Sequence, residues 1–143
     1  MQTSRTANQL FTLLDDAYER FPQHAHLPIA VVTISQQKLC VFINKQLVCD
    51  YPISTSRFGI GQREGSYKTP IGIHCVQEKI GADVEFAEVF KSRIRTHTAA
   101  TIVQEKVRTD EECITSRILW LAGLEEGINK GAGIDSYARY IYI

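Results

Sequence analysis

The clearest hydrophobic pattern in this sequence predicts an amphipathic helix near the N-terminus, over residues 6–21. Apolar side chains recur there at spacings of three and four residues, which places them on one helical face. They are Leu10, Leu14, Ala17, Tyr18 and Phe21. Pro22 predicts the end of the helix because proline cannot continue the backbone hydrogen bonding. The pattern indicates a packing element rather than a functional one.

After Pro28 the pattern changes to short apolar or alternating runs separated by polar turns, which is typical of β-strands. The first three runs follow one another closely, so they predict an antiparallel meander. The predicted strands cover residues 29–35, 38–44, 47–54, 71–77, 92–103, 114–121 and 137–143.

The last of these runs, residues 137–143, is aromatic and β-branched and has no turn after it. Domain ends are usually polar and tolerant of change. The run therefore predicts a domain that is truncated at its C-terminus. An unpaired strand edge at residues 140–143 would also invite pairing with another copy or another chain.

One helix in front of many short strands predicts a mainly β fold, with mixed or antiparallel sheets forming a β-sandwich or a partial barrel. The predicted organisation is an N-terminal helix with its linker, residues 1–27, followed by one domain over residues 28–143. The sequence shows no internal repeat and no low-complexity tract.

The charge balance argues against a nucleic-acid or membrane-surface partner, because sixteen basic residues cancel sixteen acidic ones. Lys91, Arg93 and Arg95 alternate along a predicted strand, which favours a solvated face over a phosphate site. No apolar run approaches the roughly 20 residues of a membrane helix. The N-terminus does not resemble a secretory signal, so we expect a cytoplasmic protein, or an envelope protein if the N-terminus is incomplete.

The four cysteines, at positions 40, 49, 75 and 113, lack C-x-x-C or zinc-ligand spacing. They predict small packing residues in a reducing compartment, with no metal and no cofactor. If a two-residue turn lies at Asn44-Lys45, Cys40 and Cys49 fall opposite one another across a hairpin.

The histidines give no catalytic pair by sequence position. His74 and Cys75 are neighbours on a predicted strand, so their side chains point to opposite faces and cannot form a dyad. His24, His26 and His97 are isolated. The sequence therefore identifies no catalytic residue within the chain.

Two glycine-bearing loops, residues 57–72 and 123–133, are predicted to border a cleft, and the second has the character of a lid. Just before the second loop, Arg117 is a candidate clamp for a carboxylate and Trp120 a candidate groove floor. The sequence leaves open a structural salt bridge for Arg117 and core packing for Trp120.

Segments around these loops resemble the YkuD-type L,D-transpeptidase catalytic domain. The first is Tyr51-Pro52-Ile53-Ser54-Thr55-Ser56 with Gly65 and Thr69-Pro70-Ile71-Gly72, similar to a family signature beside the active cleft; Ser56 stands where glycine is more common. The later segments resemble the region that leads into the catalytic motif. They are residues 115–121, Asn129, Gly131, Asp135-Ser136 and residues 139–143. The resemblance spans about residues 28–143, and position within it predicts Arg117, Trp120, Tyr137 and Arg139 as substrate-binding residues.

In that family a strand similar to residues 139–143 continues into a His-Gly pair and then a Ser-His-Gly-Cys segment. The cysteine is the nucleophile, the histidine is its base, and backbone amides stabilise the oxyanion. None of the four cysteines here lies in such a segment. The resemblance therefore implies a C-terminally truncated domain that is inactive as given.

The resemblance implies a peptidoglycan stem tetrapeptide or muropeptide as the partner, cleaved between a diamino acid and the terminal D-alanine. The acyl acceptor is an amine in cross-linking or water in carboxypeptidase trimming, and the missing signal favours a cytoplasmic L,D-carboxypeptidase. Two alternatives stay open: a catalytically dead peptide-binding module, and an interaction fragment that associates through its final strand.

Overall fold

A computed structural model describes residues 2–102 and 113–143 of the chain. It contains two compact units, Met1–Gly59 and Ile60–Ile143. The predicted organisation, with a helix and linker over residues 1–27 before a single domain, remains a prediction.

The first unit begins with the predicted helix. Helix α1 covers Gln2–Arg20, and Leu14 on its apolar face is 1% exposed. Pro22 opens a short 3-10 turn, Pro22–His24, because its fixed φ suits a first helical position and its ring cannot extend α1. The helix prediction is confirmed, with a start four residues earlier.

Three antiparallel strands follow in the order β1-β2-β3: β1 Ile29–Thr33, β2 Lys38–Ile43 and β3 Gln46–Pro52. The turn lies at Asn44-Lys45, where both residues have positive φ, as a two-residue hairpin of this type requires. A bulge in β3 then shifts the register by one residue. Cys40 faces Asp50 and not Cys49, so the predicted cysteine pairing is wrong.

The second unit contains two further sheets. Strand β4, His74–Ile80, pairs antiparallel with β8, Ile118–Gly123. Strand β5, Glu88–Lys91, lies between β6, Ile94–Ala99, and β7, Ile114–Thr115. The core of this unit contains Val84, Phe90, Ile118 and Trp120.

The predicted final strand forms only in part. Asp135 Oδ1 accepts the backbone N–H groups of Tyr137 and Ala138 at 2.9 and 3.0 Å, and the Arg139 N–H donates to the Asp135 carbonyl at 2.9 Å. This side-chain cap holds residues 136–140 in a turn, against their strand propensity. Only residues 141–143 run along β8, where Tyr142 lies opposite Trp120.

Other strand predictions shift at their ends. The strand predicted over residues 71–77 begins at His74 and reaches Ile80. The run over 114–121 is divided into β7 and β8 around Ser116, which has positive φ. The run over 92–103 forms β6 after a turn at residues 92–93, and its last residue lies outside the described residues.

The fold-class prediction is confirmed: the chain is mainly β, with one α-helix near the N-terminus and several antiparallel sheets. Within the described ranges, none of the sheets closes into a barrel. One edge of residues 141–143 is hydrogen-bonded to β8. Association of this segment with another chain remains a prediction.

Candidate functional site

The two glycine-bearing loops meet in the second unit because β4 and β8 pair at their ends. His74, the first residue of β4, lies opposite Gly123, the last residue of β8. The residues that precede β4 and those that follow β8 therefore leave the sheet at the same end. The Glu64 N–H donates to the carbonyl of Gly133 at 2.8 Å, which joins the loops directly.

Asn129 is the central side chain of this junction and is fully buried, at 0% exposure. Its Nδ2 donates to the carbonyls of Ile71 and Ile73 at 3.1 and 3.0 Å. Its Oδ1 accepts the N–H of Glu125 at 2.9 Å. One amide thus satisfies backbone groups from both loops, as a buried polar side chain must to offset its desolvation.

The carboxylate of Glu125 supports the same contact, because its Oε2 accepts the N–H of Ile73 at 2.6 Å. Gly72 lies against it with φ +93°. A Cβ at Gly72 would overlap the Glu125 carboxylate and stand 2.8 Å from Asn129 Nδ2. Both the backbone angle and the close packing explain why the Thr-Pro-x-Gly segment ends in glycine.

His74 and Ser136 complete the junction. His74 Nδ1 lies 3.0 Å from the carbonyl oxygen of Gly72, which can only accept, so Nδ1 carries the proton of the neutral ring. Nε2 then accepts the hydroxyl proton of Ser136 at 2.8 Å. We call Gly72, His74, Glu125, Asn129 and Ser136 the polar joint.

Burial lowers the pKa of His74, chiefly because desolvation penalises the imidazolium form. The Gly72 carbonyl and the Glu125 carboxylate oppose this shift, while Arg139 adds to it. A neutral imidazole that accepts from a serine hydroxyl is the geometry of a base beside a nucleophile. Ser136 is 0% exposed, however, so its oxygen is shielded from solvent, and the hydrogen bond joins the start of β4 to the turn at residues 136–140.

The pairing of His74 with Ser136 is not predicted from the sequence. His74 and Ser136 are 62 residues apart. Each follows a turn-rich segment, and no local pattern relates them. Asn129 was part of the resemblance, but its two carbonyl partners depend on how β4 and β8 pair.

Arg139, a predicted substrate-binding residue, attaches the turn at residues 136–140 to the first loop. Its guanidinium donates to the carbonyls of Gly61 and Lys68 at 3.3 and 2.8 Å. Desolvation lowers the pKa of Arg139, and the carboxylate of Glu64 opposes that shift. These contacts give Arg139 a positioning role in the loop, and its contact with substrate stays a prediction.

Arg117, the predicted carboxylate clamp, lies elsewhere in the unit. Its guanidinium donates to the carbonyls of Val84 and Ser116, both at 2.7 Å. The side chain thus fixes the turn before β5. Neither a salt bridge nor a substrate contact is needed to explain this placement.

Trp120 and Tyr137 come together. Their rings stack with centroids 4.3 Å apart and planes 11° apart, and Trp120 Nε1 donates to the Tyr137 carbonyl at 3.0 Å. Tyr140 and Tyr142 contact the same indole, each with its centroid 5.6 Å away. Trp120 is 8% exposed and belongs to the core. We call Trp120, Tyr137, Tyr140 and Tyr142 the aromatic cluster.

The Tyr137 hydroxyl donates to the Glu78 carboxylate on β4. This hydrogen bond is the main cause that raises the pKa of Tyr137, since ionisation would remove the proton that the hydroxyl donates. An acidic group therefore borders the aromatic cluster.

No helix among the described residues has both the length and the apolar character required to cross a bilayer. Within the same residues, no group of three or more His, Cys, Asp and Glu side chains is placed to hold a metal ion. The four cysteines form no disulfide.

No family model, curated protein or solved structure matches this chain, so the family resemblance depends on the quoted residues and their order.

Proposed function

We propose that this chain is part of a YkuD-type cysteine L,D-transpeptidase domain, which transfers the acyl group of a peptidoglycan stem tetrapeptide. One observation carries the proposal. Two of the segments that carry the resemblance, residues 65–72 and 129–139, are more than fifty residues apart and yet are joined, because Asn129 donates to the Ile71 carbonyl and Arg139 to the Lys68 carbonyl. Two of the segments that carry the resemblance thus meet at one structural junction in the second unit, which supports the proposal.

The chemistry implied is thiol acyl transfer. A thiolate attacks the carbonyl at the L-centre of the diamino acid, a thioester forms, and D-alanine leaves as the free amino acid. Water or an amine then attacks the thioester and restores the thiol. Water as acceptor gives the L,D-carboxypeptidase of a cytoplasmic recycling reaction, and an amine gives a cross-link.

The residues present would serve this reaction as a framework. In the family, the nucleophilic cysteine and its histidine follow the segment that residues 139–143 resemble. Among the described residues, no hydrogen bond joins a cysteine to an imidazole. The proposal therefore predicts that the 143-residue chain binds the tetrapeptide without releasing D-alanine.

Isothermal titration calorimetry of the 143-residue chain with the tetrapeptide, and with the tripeptide that lacks the terminal D-alanine, tests this prediction. We expect saturable heat with the tetrapeptide. Arg139→Gln should weaken binding because it releases the first loop, whereas Lys91→Gln, at an exposed position of β5, should not. The absence of heat with the tetrapeptide, or release of D-alanine by this chain, would contradict the proposal.

A non-catalytic peptide-binding module is the second candidate. It is favoured by the complete burial of Ser136, which leaves His74 beside a hydroxyl that cannot react with substrate. The reading frame of the source after Ile143 separates the two candidates. A continuation into His-Gly and Ser-His-Gly-Cys supports the acyltransferase, and a stop codon supports the binding module.

A further inference from the structure

The turn between β5 and β6 places one cation on the aromatic cluster. Lys91 pairs with Ile94, so Ser92 and Arg93 form a two-residue turn. Both have positive φ, 49° and 68°, as a hairpin turn of this twist requires. Arg93 is therefore held at a fixed corner of the hairpin.

The guanidinium of Arg93 lies over two rings of the aromatic cluster. It is 4.9 Å from the Trp120 centroid and 4.6 Å from the Tyr140 centroid. Tyr142 stands edge-on to the indole at 88°, and hydrogen bonding to the hydroxyls of Tyr142 and Tyr140 raises the pKa of Arg93. These distances are those at which a ring quadrupole attracts a cation.

Arg93 differs from its neighbour Arg95 in what it contacts. Arg95 donates to both carboxylate oxygens of Glu88, each at 2.9 Å, and pairs with Asp83 at 3.2 Å. Within the described part of the chain, Arg93 forms no salt bridge with a carboxylate. Arg95 is thus fixed by charge pairing, whereas Arg93 is held by aromatic rings and hydroxyls, which attract cations in general.

We propose that the three rings of Trp120, Tyr140 and Tyr142 form a binding site for a small organic cation, a guanidinium or alkylammonium group, and that Arg93 is its displaceable resident. Aromatic faces recognise positive charge and flat shape rather than a particular side chain. The Tyr140 side chain is 55% exposed, so a ligand can reach the site from solvent. The Glu78 carboxylate at the border of the aromatic cluster adds attraction for a cation.

This inference is independent of the proposed acyl transfer. If that function holds, the side-chain ammonium of a diamino acid is a ligand of the required class. The cation site can be tested with simple probes, so its failure would leave the tetrapeptide experiment unaffected.

The test uses Trp120 fluorescence, because Trp120 is the single tryptophan in the sequence. Ethylguanidinium is titrated against the wild-type chain and against Arg93→Ala, with ethylurea as the neutral isostere. We expect a saturable change with ethylguanidinium in both proteins, with roughly tenfold tighter binding to Arg93→Ala because the resident cation is gone. Arg57→Ala is the matched control, since Arg57 lies over the Phe58 ring at 5.1 Å in the other unit, and it should bind like the wild type.

Three results would overturn the proposal: no saturable change in a folded Arg93→Ala chain, an equal response to ethylurea, or equal affinity in the wild type and Arg93→Ala. Circular dichroism checks that the variant is folded. If Arg93→Ala does not fold, Arg93→Gln replaces it, and the wild-type titration by itself still decides whether ethylguanidinium binds at Trp120.

Discussion

The polar joint and the aromatic cluster both include residues of β8 or of the segment that follows it, but they are stabilised in different ways. The polar joint depends on directed hydrogen bonds to backbone groups, made by Asn129, Glu125 and His74. The aromatic cluster depends on ring stacking and apolar burial around Trp120. Polar residues are usually the exposed ones, yet Asn129 and Ser136 are at 0% exposure while Tyr140 is at 55%.

This difference in burial indicates which of the two regions tolerates substitutions. Directed hydrogen bonds in a buried site have one acceptable geometry, and each lost partner leaves a group that water cannot reach. Aromatic packing accepts substitutions that approximately keep volume and shape. We therefore expect near-isosteric changes to be more destabilising in the polar joint than in the aromatic cluster.

The largest effect is expected for Gly123→Ala, at the end of β8. The new Cβ would stand 2.5 Å from the carbonyl carbon of Asn129, and backbone cannot move aside without breaking the joint. We expect a loss of about 3 to 4 kcal/mol in the free energy of unfolding, measured by urea denaturation. Gly61→Ala is the control, because its Cβ would meet the flexible Lys68 side chain, and it should cost less than about 1 kcal/mol. Equal losses would show that Asn129 is not rigidly placed.

Asn129→Asp should follow, with a loss of about 3 kcal/mol at neutral pH. The side chain keeps its size but loses the donor to the carbonyls of Ile71 and Ile73, and a carboxylate replaces it beside Glu125. Asn44→Asp is the matched control, since Asn44 lies in an exposed turn and aspartate also tolerates its positive φ. A loss at Asn129 as small as at Asn44 would remove the distinction between the two regions.

The fold class could be predicted from the sequence because hydrophobic periodicity is local. The helix predicted over residues 6–21, the first three strands and the Asn44-Lys45 turn all follow from residues within a few positions of one another. The bulge in β3 could not be predicted, because it depends on packing against β2. The turn at residues 136–140 was missed because the Asp135 cap overrides the propensity of the tyrosines.

The site was less predictable for a physical reason. The family resemblance predicts both Trp120 and Tyr137 as substrate-binding residues, and the structure stacks their rings against each other. The pairing of His74 with Ser136 depends on how β4 and β8 align, which no spacing in the sequence specifies. Arg117 was predicted as a carboxylate clamp and Arg139 as a substrate-binding residue. The sequence gives no sign that both guanidinium groups donate to backbone carbonyls.

A smaller effect is expected for Trp120→Phe in the aromatic cluster. Phenylalanine keeps a flat ring against Tyr137 but loses part of the buried volume and the Nε1 hydrogen bond. We expect a loss of about 2 kcal/mol in the free energy of unfolding, which is smaller than that of Asn129→Asp although more atoms are removed.

Tyr140→Phe, at an exposed position, is the control and should change the free energy of unfolding by less than about 0.5 kcal/mol. A loss at Trp120 above that at Asn129 would reverse the comparison. Urea denaturation followed by circular dichroism measures all three.

The smallest effect is a pH dependence on the acid side of neutrality, which arises in the polar joint because it contains His74. Burial holds the pKa of His74 below its ordinary value of 6.5, so the unfolded chain binds a proton before the folded chain does. The contribution of His74 to the free energy of unfolding is therefore fully present above pH 6.5. It decreases as the pH falls below this value, with a slope of at most about 1.4 kcal/mol per pH unit. Below about pH 4.5, Glu88, whose pKa is lowered mainly by its hydrogen bond to Arg95, begins to contribute its own loss.

Two variants identify the cause of this slope. His74→Gln should remove the slope between pH 6.5 and 4.5, in urea denaturation at a series of pH values. Ser136→Ala should lower stability at every pH but keep the slope, because desolvation, rather than the hydroxyl, is the main cause of the shift. Glu125 and Arg139 act on His74 in opposite directions and are unchanged in both variants. A slope that disappears in Ser136→Ala would assign the shift to the hydrogen bond, and the polar joint would then owe its pH dependence to geometry rather than to burial.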